Sequence, residues 1–157
     1  MNMSELSKKE RAGRNRTLTI LSDEREMLVN RLLIPSDRIS FSKEDILNKT
    51  IVQDLNEVID ALPKGIADLI IIDPPYNITK DFHGFTFKSL SDDKYLEYLR
   101  SWFPKVLSVL KPNGSVYLCG DWKCTTSLHR VMCENLIVLN RITWQREKGR
   151  GALNNWK

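Results

Sequence analysis

The sequence predicts an α/β fold, and three observations support this prediction. An unbroken apolar run at residues 69–72 is bounded by Asp68 and Asp73, which is typical of a strand buried on both faces, as in a parallel sheet. Residues 91–110 carry apolar side chains at three-and-four spacing, which indicates a helix packed on a core. A Pro-Asn-Gly turn then leads into a second short strand at residues 115–119.

Length and composition are those of one modest globular domain. The chain has 157 residues, of which 41% are hydrophobic and 28% are charged. The sequence contains no apolar stretch as long as a membrane span, and residues 1–16 are too polar and basic for a secretory signal. We therefore expect a cytoplasmic protein.

The cysteines predict reduced thiols and no metal site. Cys119, Cys124 and Cys133 lack the paired spacing of metal ligands, and only His83 and His129 could join them. An odd number of cysteines in a cytoplasmic protein favours free thiols.

The formal charge of +4 is compatible with nucleic acid but does not by itself indicate it. Cations crowd both ends of the chain, where they would meet phosphates or belong to solvated tails. The two clusters are Lys8, Lys9, Arg11, Arg14 and Arg16, and Arg141, Arg146, Lys148, Arg150 and Lys157.

Residues 1–47 are predicted to form a basic arm followed by a helical extension. The arm is residues 1–16. Ser22 precedes three acids and is expected to cap a helix that runs to about Leu33 and is closed by Pro35. Ser42 starts a second short helix or turn by the same logic. We assign no specific function to this region.

The elements from residue 48 onward alternate between strands and helices. Residues 50–52 form a short strand, and Asp54 follows it either as the N-cap of a helix over 55–62 or as a ligand-binding carboxylate. Gly65 turns the chain into the strand at 68–73. Residues 78–90 are expected to form an aromatic-rich loop, whose phenylalanines either pack into a core or close over a bound ligand.

Three further elements complete the predicted chain. Ser91 caps the clearest helix, whose stripe is Leu96, Leu99, Phe103, Val106, Leu107 and Leu110. After the strand at 115–119, Asp121 and Trp122 emerge at the same end of the sheet as Asp73. A helix over 125–134 and a strand over 136–144 follow.

The residues Asp73-Pro74-Pro75-Tyr76 carry the clearest chemistry in the chain. Prolines cannot serve a central strand, so the chain leaves the sheet at Asp73, at the edge where open α/β sheets bind ligands. The Asp73 carboxylate and the Pro74 carbonyl supply two acceptors for the hydrogens of an exocyclic amine, and Pro75 stiffens the turn. Tyr76 offers a flat face on which an extruded base can stack.

These four residues resemble the signature of amino-methylating DNA methyltransferases, most closely the adenine-N6 enzymes of restriction-modification systems in which the signature comes early. Residues 52–63, the Lys111-Pro112-Asn113-Gly114 turn with its strand, and residues 144–151 also resemble family segments in the expected order. The resemblance covers about two thirds of the chain, from Lys49 onward.

The resemblance implies a Rossmann-like methyltransferase sheet, S-adenosylmethionine as cofactor and double-stranded DNA as partner. Asp73, Pro74, Pro75 and Tyr76 are then the catalytic residues, and Asp54 and Asp73 the cofactor-binding residues. Trp144, Lys148 and Arg150 are expected to contact DNA.

One expected family segment is absent from the sequence. The apolar-Gly-x-Gly segment that binds the methionine end of the cofactor does not occur, since Gly149-Arg150-Gly151 lacks the apolar residue and strand before it. We therefore expect residues 48–157 to be a partial catalytic domain, the N-terminal part of a longer enzyme, completed by a C-terminal half or a homodimer.

Three alternatives remain at this stage. Cytosine-N4 methylation uses the same amine chemistry, although those enzymes more often carry Ser where this chain has Asp73. Methylation of RNA or of protein glutamine uses related signatures that usually begin with Asn. A non-catalytic DNA-binding subunit or remnant would explain the missing cofactor segment and the basic ends.

Overall fold

The computed structural model describes residues 10–11, 19–35, 40–82 and 84–144. It divides the chain into two compact units. The first comprises the chain up to Pro74 together with Arg100–Cys119, and the second comprises Pro75–Leu99 together with the chain from Gly120 onward. Each unit is described below by itself.

The described elements are a mixture of helices and strands. The strands are β1 (Glu10–Arg11), β2 (Thr19–Ile20), β3 (Leu32–Leu33), β4 (Thr50–Ile51), β5 (Ala67–Ile72), β6 (Lys80–Phe82), β7 (Phe85–Phe87) and β8 (Leu110–Leu118). The helices are α1 (Ser22–Val29), α2 (Lys43–Ile46), α3 (Leu55–Val58), α4 (Asp92–Leu107) and α5 (Thr125–Asn135), with a 3-10 turn at Ile59–Ala61.

The first unit contains the parallel strand pairs that the predicted α/β class requires. β3 pairs with β4, and β5 pairs with β8 in a register that joins Ile70 to Val116 and Ile72 to Leu118. The connection from β5 to β8 includes α4, as expected for neighbouring parallel strands. The predicted Pro-Asn-Gly turn lies inside β8, where the register shifts between the Ala67–Leu110 and Leu69–Ser115 pairs.

The prediction that β5 is buried on both faces is wrong. Ile70 and Ile72 are half-buried, whereas Leu69 and Ile71 are exposed, with Ile71 at 67% of its full accessibility. Tyr117, which pairs with Ile71, is exposed on the neighbouring strand. Because successive side chains of a strand point to opposite faces, an unbroken apolar run cannot reveal which of its faces is covered.

The N-terminal region is less helical than predicted. Leu21, and not Ser22, is the N-cap of α1, because Glu24 Oε2 accepts a hydrogen bond from Leu21 N at 2.9 Å. The helix ends at Val29, well before Pro35, and Leu32 and Leu33 form β3 beside β4. Leu32 and Leu33, which were predicted to end the helix capped at Ser22, instead pair in parallel with β4. The predicted arm lies outside the described residues apart from Glu10–Arg11.

Two capping predictions are confirmed. Ser42 Oγ accepts a hydrogen bond from Asp45 N at 3.3 Å at the start of α2, and Asp45 Oδ2 accepts one from Ser42 N at 2.9 Å. Asp54 Oδ1 accepts a hydrogen bond from Asn56 N at 2.8 Å at the start of α3. The helix predicted over 55–62 is divided into α3 and the 3-10 turn that follows it.

The helix α4 supplies buried residues to both units, as its apolar stripe predicts. Leu96 and Leu99 are buried in the second unit, and Phe103 and Val106 in the first. Leu110, the last predicted member of the stripe, belongs instead to β8. Pro104 lies inside the helix with an exposed side chain.

Residues 78–90 are not the loop that was predicted, because they contain an antiparallel hairpin. β6 pairs with β7, joining Lys80 to Phe87 and Asp81 to Thr86. Asp81 Oδ1 accepts a hydrogen bond from Gly84 N at 3.3 Å, and Gly84 adopts a φ of 100°, which suits glycine in a tight turn. Phe87 is buried, as the core interpretation predicts, and His83 lies outside the described residues.

The strand predicted over residues 136–144 is also wrong. These residues, all described by the structure, follow an irregular path after α5, and most of their apolar side chains are exposed. Ile137, Leu139, Ile142 and Trp144 are each more than two thirds exposed. Alternating apolar residues form a strand only where another strand receives their backbone hydrogen bonds, so the pattern alone was insufficient. In the described part of the chain, no helix is long and apolar enough to cross a membrane.

Candidate functional site

The carboxyl end of β5 presents the first residue of the signature to solvent. Ile72 is the last residue of β5, and its carbonyl accepts a hydrogen bond from Cys119 N at 2.8 Å. The next residue, Asp73, has left the strand and is exposed, while Pro74 is buried. The chain therefore leaves the sheet at Asp73, as the two prolines predict.

The second unit begins with the other half of the turn, and a tyrosine holds it. Tyr95 Oη donates a hydrogen bond to the Pro75 carbonyl at a distance of 2.7 Å. Tyr95 is 0% exposed, so this hydroxyl is delivered from inside the unit. Sequence reasoning missed Tyr95, although it precedes the stripe residue Leu99 by one helical turn and thus lies on the apolar face of α4.

Asn77 was also missed, and it fixes the exit from the turn. Its φ is 53°, in the left-handed region that asparagine tolerates better than most residues. Asn77 Oδ1 accepts a hydrogen bond from Leu90 N at 2.8 Å, and Asn77 Nδ2 donates one to Leu90 O at 3.0 Å. The side chain thereby ties the residue after Tyr76 to the residue that follows the β6–β7 hairpin. An asparagine directly after a rigid turn was the available signal.

Aromatic rings surround Tyr95 and hold it in place. Its ring stacks on that of Tyr98 with centroids 6.0 Å apart and meets the Phe87 ring edge-on at 6.5 Å. Burial raises the pKa of Tyr95 well above its usual value, and the nearby Cys124 thiol adds to this shift. The hydroxyl therefore stays protonated and able to donate to Pro75 throughout the neutral range.

In the turn after β8, the carboxylate of Asp121 accepts hydrogen bonds from backbone amides of the same turn. Asp121 Oδ1 accepts hydrogen bonds from Lys123 N at 3.0 Å and from Cys124 N at 3.1 Å. Cys124 Sγ donates to the Asp121 carbonyl at 3.3 Å, and burial raises the pKa of Cys124 to about 11. Trp122, by contrast, is 74% exposed, with Lys123 Nζ 5.8 Å from its ring centroid. Of the two residues suggested here by the sequence, Trp122 is the one presented to solvent.

Glycine is required immediately before this turn. A Cβ on Gly120 would lie 3.1 Å from Cys124 Sγ and would collide with the side chain of Leu128. The close approach of the backbone to α5 explains the glycine in the Gly-Asp-Trp sequence.

The candidate cofactor and DNA residues are partly located. Asp54 follows β4 and is exposed, with one carboxylate oxygen engaged in the cap of α3. Trp144 is 90% exposed, while Lys148 and Arg150 lie outside the described residues. A cleft of about 540 Å³ lies between the start of α5 and the segment after it. It is lined by Thr125, Thr126, His129, Val138, Leu139, Asn140 and Arg141.

Comparison with curated proteins identifies several bacterial DNA methyltransferases as relatives. The chain is 35% identical over 97 residues to the type II methyltransferase M.HpaI of Haemophilus parainfluenzae, covering 60% of this chain and 31% of the relative. It is 29% identical over 108 residues to the type II methyltransferase M1.MboII of Moraxella bovis, covering 68% of this chain and 40% of the relative. It is 31% identical over 98 residues to the DNA adenine methyltransferase YhdJ of Escherichia coli K12, covering 61% of this chain and 33% of the relative.

The matched region therefore spans well under half the length of each of these relatives. The profile of a protein family described as DNA methylase, of the N6 and N4 type, matches residues 67–157, which is more than half of this chain. That match includes the strand β5, the Asp73-Pro74-Pro75-Tyr76 turn, α4 and β8. The chain thus belongs to the N6/N4 DNA methylase family.

Proposed function

We propose that this chain carries the target-amine part of the catalytic centre of a DNA adenine-N6 methyltransferase from a restriction-modification system. The observation that carries the proposal is the turn after β5. An exposed Asp73 carboxylate leaves the strand end, and the chain continues directly into a turn whose Pro75 carbonyl is held by Tyr95. A carboxylate followed along the chain by backbone carbonyls of restricted direction suits an amine whose two hydrogens must be held.

The proposed mechanism begins with extrusion of the target adenine from the duplex, because its amino group is inaccessible inside the stack. Tyr76 stacks on the extruded base. The Asp73 carboxylate and the Pro74 carbonyl accept hydrogen bonds from the amino hydrogens, which favours a more tetrahedral nitrogen and makes its lone pair available. When the nitrogen takes the methyl group, the donor would leave as a neutral thioether and the surplus proton would pass to water or to the Asp73 carboxylate, so no strong general base is required. Pro75 keeps the turn stiff.

Enzymes of this family use S-adenosylmethionine, which supplies an electrophilic methyl group. The carboxyl ends of β4 and β5 each carry an exposed aspartate, Asp54 and Asp73. Carboxylates suit the ribose hydroxyls and the positive sulfonium of this cofactor. We assign both residues to cofactor binding.

Adenine is preferred over cytosine as the target on two grounds. The signature begins with Asp73, where cytosine-N4 enzymes more often carry serine, and one relative is named as a DNA adenine methyltransferase. Cytosine-N4 methylation is the second candidate, because the matched family covers both types.

We assign DNA contact to Trp144, Lys148 and Arg150. The exposure of Trp144 supports a stacking or backbone contact, and the nearby cations of the basic segment would neutralise phosphates. Binding through these cations should weaken steeply as salt is raised.

We further propose that β5 and β8 are neighbouring strands of a larger Rossmann-like sheet, and that a complementing C-terminal segment or a second copy of the chain completes the cofactor site. The exposed apolar face of β5 and β8 supports this, since parallel sheets are covered on both faces. Calorimetric titration should then show that residues 1–157 alone bind S-adenosylmethionine weakly. Micromolar affinity would contradict this part of the proposal.

The decisive experiment measures transfer of a labelled methyl group to mixed-sequence duplex DNA, by the chain alone and by the chain with a complementing C-terminal segment, followed by nucleoside analysis. Asp73→Ala should abolish label in N6-methyladenine and leave DNA retention unchanged. Asp68→Ala is the matched control, because Asp68 is exposed on the same strand and pairs with Lys111 at 2.7 Å.

Normal turnover by Asp73→Ala would contradict the catalytic assignment, and label in N4-methylcytosine would favour the second candidate. Salt-sensitive DNA retention without transfer by the wild type, also in the presence of a complementing segment, would favour a non-catalytic DNA-binding subunit.

A further inference from the structure

We propose that Tyr95 is a positioning residue that sets the direction in which the chain enters Tyr76. Its hydroxyl fixes the one backbone dihedral that the two prolines leave soft, the ψ angle of Pro75. This inference rests on the proposed function, because the group being positioned is the ring assigned to stack on the target base.

The prolines restrict all but one of the relevant dihedrals. The ring of each proline locks its own φ near −65°, so neither Pro74 nor Pro75 can rotate there. Pro74 is itself followed by a proline, which confines its ψ to the extended range. Pro75 is followed by Tyr76, so its ψ carries no such restriction. Rotation about this bond would swing the Pro75 carbonyl and redirect Tyr76.

The hydrogen bond from Tyr95 acts on that rotation. Tyr95 Oη lies 2.7 Å from the Pro75 oxygen, which is a favourable distance for a hydrogen bond between a hydroxyl and a carbonyl. Rotation about the ψ angle of Pro75 would carry its carbonyl away from the Tyr95 hydroxyl. The buried hydroxyl would then lose its hydrogen-bond acceptor. The hydrogen bond thus opposes the one motion that the proline rings permit.

The donor itself is immobile. Tyr95 is fully buried on α4, stacked on Tyr98 and held edge-on by Phe87. Because the Tyr95 ring is held by its neighbours, its hydroxyl keeps the Pro75 carbonyl in one position. A solvent-exposed hydroxyl would move together with the carbonyl and would not restrain it.

The other side of Tyr76 is anchored independently. Asn77 binds the backbone of Leu90 through both its amide oxygen and its amide nitrogen. Tyr76 therefore lies between a carbonyl held by Tyr95 and a residue clamped by its own side chain. With both neighbours fixed, the backbone direction at Tyr76 is set before any base arrives, and such preorganisation affects the rate of a positioned reaction.

The first test compares Tyr95→Phe with Tyr98→Phe. Each variant removes one hydroxyl and keeps an aromatic ring in the same cluster, and the hydroxyl of Tyr95 is the one seen to donate to the Pro75 carbonyl. The NMR order parameter of the Tyr76 amide is expected to fall in Tyr95→Phe from about 0.85 toward 0.6, and to stay unchanged in Tyr98→Phe. An unchanged order parameter in Tyr95→Phe would overturn the proposal.

The second test is the methyl-transfer assay on the same variants. Tyr95→Phe should lower kcat about tenfold, with the KM for DNA and the thermal unfolding temperature nearly unchanged, since misplacement of a positioning group reduces rate more than binding. A loss of unfolding temperature with wild-type kcat per folded molecule would show a merely structural role and would overturn the proposal.

The two tests separate this inference from the proposed function. If the wild type transfers no methyl group even with a complementing segment, while the Tyr76 amide loosens in Tyr95→Phe, the proposed function fails and the restraint of the Pro75 carbonyl by Tyr95 stands. Should Tyr95→Phe not fold, Phe87→Leu is the second variant, because it keeps the hydroxyl and removes the ring edge beside it. A smaller fall in the same order parameter is then expected, and no fall would contradict the proposal.

Discussion

Two segments of the second unit have opposite structural outcomes. The turn at Pro75, Tyr76 and Asn77 is held by hydrogen bonds on both sides of Tyr76. Residues 136–144 contain an alternating apolar pattern and yet follow an irregular path with most of their apolar side chains exposed.

The difference lies in where each segment finds its hydrogen-bond partners. The turn is restricted by its own proline rings and is completed by side chains within the unit, Tyr95 and Asn77. A strand needs the backbone of a neighbouring strand, which local sequence cannot supply. A rigid turn can therefore be recognised from a few residues, whereas an apolar alternation indicates a strand only when its partner is present.

The largest expected contrast between the two segments is in stability. Tyr95→Ala should lower the free energy of unfolding by about 3–5 kcal/mol, because it empties a fully buried aromatic site and removes the hydrogen bond to Pro75. Trp144→Ala should change it by less than about 0.5 kcal/mol, since that ring is exposed. Urea denaturation of both variants measures the two free energies of unfolding. Equal losses in the two variants would contradict the predicted difference between the segments.

The clamp at Asn77 should have the next largest effect. Asn77→Ala is expected to lower the free energy of unfolding by about 2–3 kcal/mol, because it removes both hydrogen bonds to Leu90 and places alanine at a φ of 53°. Asn77→Gly loses the same hydrogen bonds without the backbone strain, so it should be milder by about 1 kcal/mol. Thermal or urea unfolding of the pair checks this, and alanine milder than glycine would contradict the strain argument.

The turn at Cys124 should be sensitive to alkali. The Cys124 pKa is raised from 9.0 to about 11 in the folded protein, so the unfolded chain loses this proton first. Its contribution to stability is therefore present below pH 9 and is lost as the pH rises toward 11, by about 1 kcal/mol after allowance for screening by solvent. Urea unfolding of wild type and Cys124→Ala across this range isolates the contribution.

A thiol-alkylation experiment provides an independent check on that turn. Cys124 is buried and Cys133 is exposed, so iodoacetamide should modify Cys133 at least about tenfold faster at pH 8. Mass spectrometry of the peptides follows both sites, and equal rates would show that the turn opens readily.

The smallest effect on stability is expected in the irregular segment. The double variant Ile137→Asp/Leu139→Asp should leave the free energy of unfolding within about 0.5 kcal/mol of the wild type, because both side chains are exposed. It should reduce self-association seen by light scattering, since exposed apolar residues promote association. A loss above about 2 kcal/mol would instead show that this segment is packed or paired in solution.

The parts predicted correctly are those that depend on neighbouring residues in the chain. The exit from β5 at Asp73 follows from two prolines, α4 follows from its apolar stripe, and the caps at Ser42 and Asp54 follow from short polar side chains at helix starts. Each of these is decided within one or two turns of backbone.

The parts predicted wrongly depend on residues distant in the chain. The β6–β7 hairpin is closed by Asn77 and Leu90, which are separated by thirteen positions. The strand β3 replaces the end of a predicted helix because β4 lies beside it. In both cases a contact with a residue distant in the chain decided the outcome. Differences in local helix and strand propensity are too small to override such a contact.

By itself, the sequence determined that the stiff Asp73-Pro74-Pro75-Tyr76 turn follows a strand, and it pointed to the family. These follow from covalent restrictions on proline and from side-chain types, which do not depend on the rest of the fold. Only the tertiary structure decided that Tyr95, twenty residues later, holds the Pro75 carbonyl and that Asn77 clamps Leu90. A contact across that distance exists only once the helix and the turn have packed, so no local pattern encodes it.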